Sequence, residues 1–336
     1  AVGHAVRAAY MYAGMADVAA LDGDPAYIQA IDRIWENVVS KKLYLTGGIG
    51  ARGSGEAFGE NYYLPNMSAY NETCASIGNV YWNHRLFLLH GDAKYLDILE
   101  RTLYNALLSG ISLDGRSFFY PNALESVGQH ERSTWFTCAC CPGNITRFMA
   151  SLPGYLYAHS GENLYVNLFA SNTATIEMPN GSIRIRQETG YPWDGKVRIT
   201  VDASSVIEKL TLNLRVPGWA QNRPVPSDLY RYQESSSTAP TLAVNGKTVS
   251  LNIEKSFARI RRLWSAGDIV TLSLPMPVRR VIAHENVRAD QGKVALERGP
   301  LVFCAEWPDN REGHVRNLLI PDDATLETEF QAGLLG

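Results

Sequence analysis

The sequence lacks a long apolar run, an excess of charge of either sign and a disulfide-like set of cysteines. No stretch approaches the roughly 18 apolar residues that a membrane-spanning helix needs. With 31 basic and 34 acidic residues, the formal net charge is −3, so no basic footprint for nucleic acid or an anionic membrane is indicated. We therefore expect neither nucleic acid nor a membrane among the partners.

The chain also lacks an initiator methionine, and it begins inside a helical pattern, AVGHAVRAAY. We interpret this start as lying within a longer protein, with any targeting segment upstream. The 336 residues, 46% of them hydrophobic, suffice for two domains that each have a core.

Helical spacing of apolar residues is present up to about residue 160. The first predicted helix carries Ala8, Met11, Met15 and Val18, and Asp24-Pro25 predicts the start of the second. Two long stretches without a clear period, 44–70 and 110–141, are expected to be loops that form a site. The predicted helices cover 3–20, 24–40, 72–90, a segment from Tyr95 to Leu103, and Pro142 to about Tyr157.

Past residue 161, apolar residues recur at every second position. Leu210, Leu212 and Leu214 alternate with polar residues, which predicts a half-buried strand, and Asn245-Gly246 predicts a hairpin. Cys304, in an apolar strand, is expected to be a small buried hydrophobe. We predict a helical domain over 1–160 and an all-β region of one or two sandwiches over 161–336. Further strands are expected at 163–170, 196–202, 258–263, 269–274 and 294–304.

Four of the five cysteines fall into two motifs. Cys138, Cys140 and Cys141 lie within four residues, and Cys74 follows Glu72 by two. An odd total with clustered thiols is a poor disulfide framework and favours metal binding or catalysis in a reducing compartment. Three thiolates and one carboxylate fit tetrahedral zinc. Spacing alone does not say which three cysteines bind, and a structural zinc site is as well supported as a catalytic one.

A glycine-rich stretch carries a candidate general acid. Glu56, in GEAFG, has an open side and an apolar wall at Phe58, an environment typical of such acids, although an ordinary loop glutamate is the alternative. Three residues are weaker candidates for contacts with a ligand. They are His4 on the first helix, Tyr120 in FFYPNALE, and His130 on the loop before the cysteine cluster.

The motifs GGIG to GEAFG, LPN…ETC and FTCACCP follow one another as in glycoside hydrolase family 127, the β-L-arabinofuranosidases. FFYPNALE, PWDG, PGW and ERGPLVFCAE extend the resemblance over nearly the whole chain. The resemblance implies an (α/α)6 barrel followed by β-sandwich domains, and a terminal β-L-arabinofuranoside as substrate. Five helical segments are too few for such a barrel, so we expect its first half to lie outside this sequence and the activity to belong to the full-length protein.

The resemblance also implies roles for individual residues. Glu56 matches the acid/base and Cys140 the nucleophile, while His4 and Tyr120 match substrate-contacting positions. Cys138 is left outside the metal site. The implied zinc ligands are Glu72, Cys74, Cys140 and Cys141.

We therefore predict a zinc-dependent retaining glycoside hydrolase that releases terminal β-L-arabinofuranose from an oligosaccharide or glycoconjugate. One alternative is a glycosidase with two catalytic carboxylates and a structural zinc site. Another is a noncatalytic carbohydrate-binding protein. The oligomeric state is open, with a homodimer as one option, and the free thiols favour the cytoplasm over the periplasm.

Overall fold

The computed structural model describes residues 1–206, 208–310 and 314–331. Helices fill the first part as far as Tyr155, and strands follow from Tyr157, which confirms the predicted order of a helical part and a sheet-rich part. The division into domains at residue 160 stays a prediction. The α-helices are α1 (Ala5–Asp22), α2 (Pro25–Lys41), α3 (Thr73–His90), α4 (Lys94–Arg101), which continues as a π-helical turn (Thr102–Leu107), and α5 (Cys140–Ser151).

The first three helices lie within two residues of their predicted ends. Helix α2 begins as its sequence predicts, because the Asp24 carboxylate accepts a hydrogen bond from the backbone N–H of Ala26 at 2.8 Å and Pro25 fills the first helical position. None of the helices in the described ranges has the length and hydropathy that crossing a membrane requires.

Helix α3 is the centre of the helical part, and α1 packs against it through small residues. A Cβ placed on Gly78 would lie 3.0 Å from the Cβ of Ala9, so the two helices approach closely. The predicted apolar face of α1 is therefore partly wrong. Ala8 is buried, but Met11 and Val18 are 58% and 53% exposed, because alanines occupy the side that touches α3.

The second part consists, over the described residues, of three sheets. The predicted hairpin is confirmed, since Val244 pairs with Lys247 across Asn245-Gly246. The first sheet is β1 (Tyr157–Ser160), β2 (Asn163–Val166), β6 (Leu210–Arg215), β11 (Phe257–Arg262) and β10 (Ile253–Glu254). The second is β3 (Asn172–Met178), β4 (Gly181–Thr189), β5 (Lys196–Ser204), β12 (Ile269–Ser273), β8 (Thr241–Val244) and β9 (Lys247–Val249). The third is β15 (Leu301–Val302), β14 (Ala295–Arg298), β13 (Val278–Ala283) and β7 (Tyr230–Tyr232).

Two expectations about the second part are wrong. Strand β6 is buried along its whole length rather than on one face, because its polar side chains have partners inside the protein. Among them, Asn213 donates to the backbone carbonyl of Leu164 at 3.2 Å. Cys304 is exposed, since β15 ends at Val302 and the chain leaves the sheet before it reaches the thiol.

Buried arginines join helix α4 to the sheets. Arg215 of β6 contacts Glu100 and lies 3.1 Å from the Asp97 carboxylate, with none of its side chain exposed. Arg101, at the end of α4, pairs with Glu297 of β14 at 2.9 Å, and both side chains are buried. A buried ion pair is costly to break, so these contacts fix the helical part against the sheets.

Candidate active site

Two helix N-termini bring the predicted metal ligands together. Glu72 is the N-cap residue of α3, and Cys74 is the second residue of that helix. Cys140 and Cys141 are the first two residues of α5. The N-terminus of a helix carries partial positive charge, so both positions favour carboxylate and thiolate groups.

The spacing of the donor atoms is that of ligands around one ion. Donor atoms of Glu72, Cys74, Cys140 and Cys141 all lie within 4.8 Å of one another. The sulfurs of Cys140 and Cys141 are 3.8 Å apart, and they lie 3.5 and 3.6 Å from Oε1 of Glu72. A tetrahedral zinc ion, with bonds of about 2.3 Å to sulfur and about 2.0 Å to oxygen, separates sulfurs by about 3.8 Å and sulfur from oxygen by about 3.5 Å.

The charge of the cluster also fits a cation. Burial, then the nearby Cys74, raises the pKa of Glu72 to about 8, and burial raises the pKa of Cys140 to about 12. A hydrogen bond from Cys141 is the main cause that lowers the pKa of Cys74 to about 6, and the same bond raises that of Cys141. The second carboxylate oxygen of Glu72 is buried without a partner. A divalent cation among these donors would balance their charge and allow the group to ionise together.

Glu56 lies on a constrained turn beside this cluster. Gly55 and Glu56 have φ of 68° and 49°, in the left-handed region that a non-glycine residue adopts rarely. Bridges from Ala57 to His4 and to Arg52 hold the turn in place. Strain of this kind clusters at functional sites, where the surrounding structure enforces it.

Both carboxylate oxygens of Glu56 have partners. Oε2 lies 2.7 Å from Nε2 of His4, and Oε1 accepts a hydrogen bond from the Tyr70 hydroxyl at 3.1 Å. Phe58, the predicted apolar neighbour of Glu56, is buried in the core. Donor atoms of His4, Glu56 and Glu72 lie within 4.8 Å of one another, which places the candidate acid next to the metal-type cluster.

Tyr120 links the candidate acid to the thiols. Hydrogen bonding by Tyr120 opposes the burial that raises the pKa of Cys140. The Tyr120 backbone carbonyl accepts from the N–H of Thr73 at 3.1 Å. Its ring meets that of Tyr70 edge to face at a centroid distance of 6.2 Å. The two tyrosines therefore connect Glu56 with Cys140.

His130 and Cys138 lie apart from these contacts. The His130 ring stacks on Phe119 at 4.5 Å and 1°, and its Nε2 is buried without a partner. Cys138 is exposed, and it is not a member of the group of four donors. The arrangement thus joins His4, Glu56, Tyr120 and the four predicted ligands, whereas His130 packs on the loop.

Sequence reasoning missed Tyr70 and Asn144. Tyr70 stands two residues before Glu72 in the irregular stretch, so its position beside a predicted ligand was the available signal. Asn144 contacts the sulfur of Cys74, and its amide donates to the Tyr10 hydroxyl at 2.8 Å. It follows Cys140 by four residues and so lies on the same face of α5, a spacing that could have indicated it.

The helical part with its carboxylate–thiolate cluster and the sheets that follow it match the domains of a glycoside hydrolase. Family models of the β-L-arabinofuranosidase GH127 catalytic domain, the GH127 middle domain and the family 127 C-terminal domain match residues 1–154, 163–276 and 278–332. The chain belongs to glycoside hydrolase family 127.

Known relatives agree with this assignment. The chain is 38% identical to a non-reducing end beta-L-arabinofuranosidase of Bifidobacterium longum subsp. longum, over 99% of the chain and 50% of that protein. A solved GH127 beta-arabinofuranosidase is 57% identical with a TM-score of 0.90, over 93% of this chain and 49% of the other. A GH127 beta-L-arabinofuranosidase from Geobacillus stearothermophilus T6 is 44% identical with a TM-score of 0.90, over 99% and 52%. The chain thus spans about half the length of these relatives.

Proposed function

We propose that the full-length protein is a retaining glycoside hydrolase that releases terminal β-L-arabinofuranose, with Cys140 as nucleophile and Glu56 as acid/base. The observation that carries this proposal is the shared position of the two groups. Glu56 and Glu72 have carboxylate oxygens within 4.8 Å, and the sulfur of Cys140 lies 3.5 Å from Glu72. The two relatives named beta-L-arabinofuranosidases support the choice of sugar.

The metal in this proposal is zinc, held by Glu72, Cys74, Cys140 and Cys141. When bound, it would keep the coordinating thiols deprotonated and balance their charge. The spacing of the two sulfurs from each other and from Oε1 of Glu72 supports this ion.

Exposure distinguishes Cys140 from the other thiols of the cluster. Cys74 and Cys141 are 2% and 0% exposed, whereas Cys140 is partly exposed and can be approached by a sugar. Hydrogen bonding by Tyr120 opposes the burial that raises the pKa of Cys140 and so favours the thiolate. We propose that Tyr120 and His4 also contact the sugar, and His130 is a third candidate at the far end of the Tyr120 loop.

The reaction then proceeds in two displacements. The protonated carboxyl of Glu56 gives its proton to the departing glycosidic oxygen while the Cys140 sulfur attacks the anomeric carbon, so that a C–O bond breaks and a C–S bond forms. Glu56, now a carboxylate, removes a proton from the water that displaces the sulfur. Two inversions at the anomeric carbon give net retention, as in the two-carboxylate mechanism with one carboxylate replaced by sulfur.

The substrate is proposed to be an oligosaccharide or glycoconjugate that ends in this sugar. All five cysteines are free thiols, which favours a reducing compartment such as the cytoplasm.

Two cysteine variants test the assignment of the nucleophile. In the full-length protein, Cys140→Ser should abolish turnover, because serine at this position is neither a thiolate nor a soft metal ligand. The matched control Cys138→Ser should keep most of the activity, since Cys138 lies outside the four-donor group. Equal and complete loss in both variants would contradict the assignment.

A covalent probe tests nucleophile, metal and sugar together. A cysteine-directed electrophile shaped like β-L-arabinofuranose should modify Cys140, as mapped by mass spectrometry, in a sample that holds about one zinc ion per chain, the content that a single four-ligand site predicts. Bound zinc without an adduct would instead favour the carboxylate-dependent alternative with a structural zinc site.

A further inference from the structure

The loop that carries Tyr120 is closed at its base. Phe118 and Ser133 exchange two backbone hydrogen bonds of 2.8 and 2.9 Å, which bring the ends of the loop together. Tyr120 lies near its beginning and His130 near its end. The segment between them forms the tip, residues 122–130, and it needs contacts of its own to be held in one position.

The C-terminal residues supply those contacts. The Glu125 carboxylate pairs with Lys293 at 2.9 Å and with Arg316 at 2.6 Å. The indole N–H of Trp307 donates to the backbone carbonyl of Ser126 at 3.1 Å. The sequence from 278 to 332 matches the family's C-terminal domain, so the tip is fastened by a different domain from the one that carries the catalytic groups.

Two other residues of the C-terminal domain hold the neighbouring loop, residues 60–70. Asp290 accepts a hydrogen bond from the Asn66 amide at 2.8 Å, and the His284 ring stacks on Tyr62 at 4.9 Å. The backbone carbonyl of Asn66 in turn accepts from the N–H of Leu124 at 3.1 Å. The two loops are thus joined to each other and to residues 284–293.

The ion pairs of Glu125 lie at the surface. The Glu125 side chain is 21% exposed, and those of Lys293 and Arg316 are 50% and 48% exposed. The hydrogen bond from Lys293 is the largest cause that lowers the pKa of Glu125. Because both bases are half exposed, salt should screen the attraction.

We propose that Glu125, with Lys293 and Arg316, is a positioning residue for substrate binding. By fixing the loop tip to the C-terminal domain, it holds Tyr120 against Thr73 at the start of helix α3, beside the cluster of predicted ligands. Its effect on the substrate rests on the proposed function, whereas its effect on the order of the loop does not.

The variant Glu125→Gln tests this role in the full-length protein, because glutamine keeps the size and removes the charge. The matched control is Glu162→Gln, which loses an exposed pair at 2.8 Å between the turn that joins β1 to β2 and Arg261 of β11. Hydrogen–deuterium exchange of peptides over 118–133 reports the loop, and KM and kcat for a chromogenic β-L-arabinofuranoside report substrate binding. Both are measured at low and high salt.

We expect Glu125→Gln to speed exchange in 118–133 by about threefold and to raise KM by about two- to fivefold at low salt, which is the range that exposed ion pairs supply. The rise of KM with salt in the wild type should be lost in this variant. The control should change none of these values, and the melting temperatures of the two variants should agree.

A second variant tests the other contact at the loop tip, the hydrogen bond from Trp307, while the ion pairs of Glu125 stay intact. Trp307→Phe removes the N–H donor to Ser126 but keeps an aromatic ring, and it should also speed exchange at the tip. Unchanged exchange in Glu125→Gln, or faster exchange with an unchanged KM, would overturn the proposal. If the wild-type protein hydrolyses no β-L-arabinofuranoside, the proposed function fails, and the exchange measurement alone then decides whether Glu125 anchors the loop.

Discussion

Replacing Arg215 by methionine removes a buried cation that two carboxylates of helix α4 share. The Arg215 side chain has no exposed surface, and those of Glu100 and Asp97 are 2% and 8% exposed. Removing one partner of such a buried pair costs about 3–5 kcal/mol, because the remaining charge stays out of water without compensation.

Residual hydrogen bonds place the expected loss at the lower end of that range. Glu100 keeps the Tyr191 hydroxyl at 2.7 Å, and Asp97 keeps the backbone N–H of Gly218 at 3.1 Å. We therefore expect Arg215→Met to lower the free energy of unfolding by about 3 kcal/mol near neutral pH. At about 2–4 °C per kcal/mol for a domain of this size, the melting temperature should fall by about 6–12 °C.

The loss should depend on pH with a definite sign. Burial already raises the pKa of Asp97 from 3.8 to about 6, and Arg215 opposes that rise. Without Arg215 the pKa rises further, so the folded state binds a proton that the unfolded state releases. A carboxyl whose pKa is raised on folding contributes stability that is lost as the pH rises through its folded pKa. Arg215→Met should therefore be less destabilising at about pH 5 than at about pH 8, on either side of the folded pKa.

Differential scanning calorimetry of the full-length protein at these two pH values measures the effect. The double variant with Glu100→Gln should recover part of the loss, because it removes one of the stranded charges. A fall in melting temperature under about 2 °C, less than one exposed ion pair can account for, would refute the reasoning. A larger loss of stability at the lower pH than at the higher one would also refute it.

Two further predictions concern single titratable groups. Glu56→Gln should leave zinc bound, as measured by metal analysis. It should remove activity mainly towards substrates with poor leaving groups, because these need protonation by the acid. Loss of zinc would instead show that Glu56 is a ligand. Burial, followed by Arg85, lowers the pKa of His84 from 6.5 to about 4, so stability should fall as the pH drops from about 6.5 to about 4, by about 3 kcal/mol. His84→Gln should flatten this dependence in pH-resolved denaturant unfolding, and an unchanged slope would contradict the assignment.

Local signals predicted the first helices and some of the strands, but not the strands over 172–178, 181–189 and 278–283. The cap at Asp24-Pro25 and the Asn245-Gly246 hairpin depend on residues that are adjacent in the chain, and both occur where expected. The apolar face of α1 was harder, because periodicity favours large residues such as Met11. The observed contact with α3 instead requires alanines, since the two backbones approach closely.

Contacts between distant residues could not be read from periodicity. The sequence predicts a half-buried β6 because Arg215 is polar. The partners of Arg215, Asp97 and Glu100, lie more than one hundred residues earlier in the chain. Nothing in the local sequence distinguishes a polar residue that faces water from one that meets a buried carboxylate. The same holds for Glu125, whose partners lie 168 and 191 residues away.

The choice among the clustered cysteines shows where local sequence stops being informative. Spacing left open which three thiols bind, because Cys138, Cys140 and Cys141 are close in the chain. The helix start decides their placement, since Cys140 and Cys141 open α5 while Cys138 precedes it and is exposed.

The sheets help to hold the acid side of the site. Arg101, fixed by Glu297 of β14, donates to the backbone carbonyl of Leu45 at 3.1 Å. The Tyr230 hydroxyl of β7 donates to the carbonyl of Leu43 at 3.0 Å. These bonds anchor the start of the loop that leads to the strained turn at Glu56. Because a left-handed glutamate persists only where its surroundings enforce it, the sheets contribute to the position of the acid without contacting it.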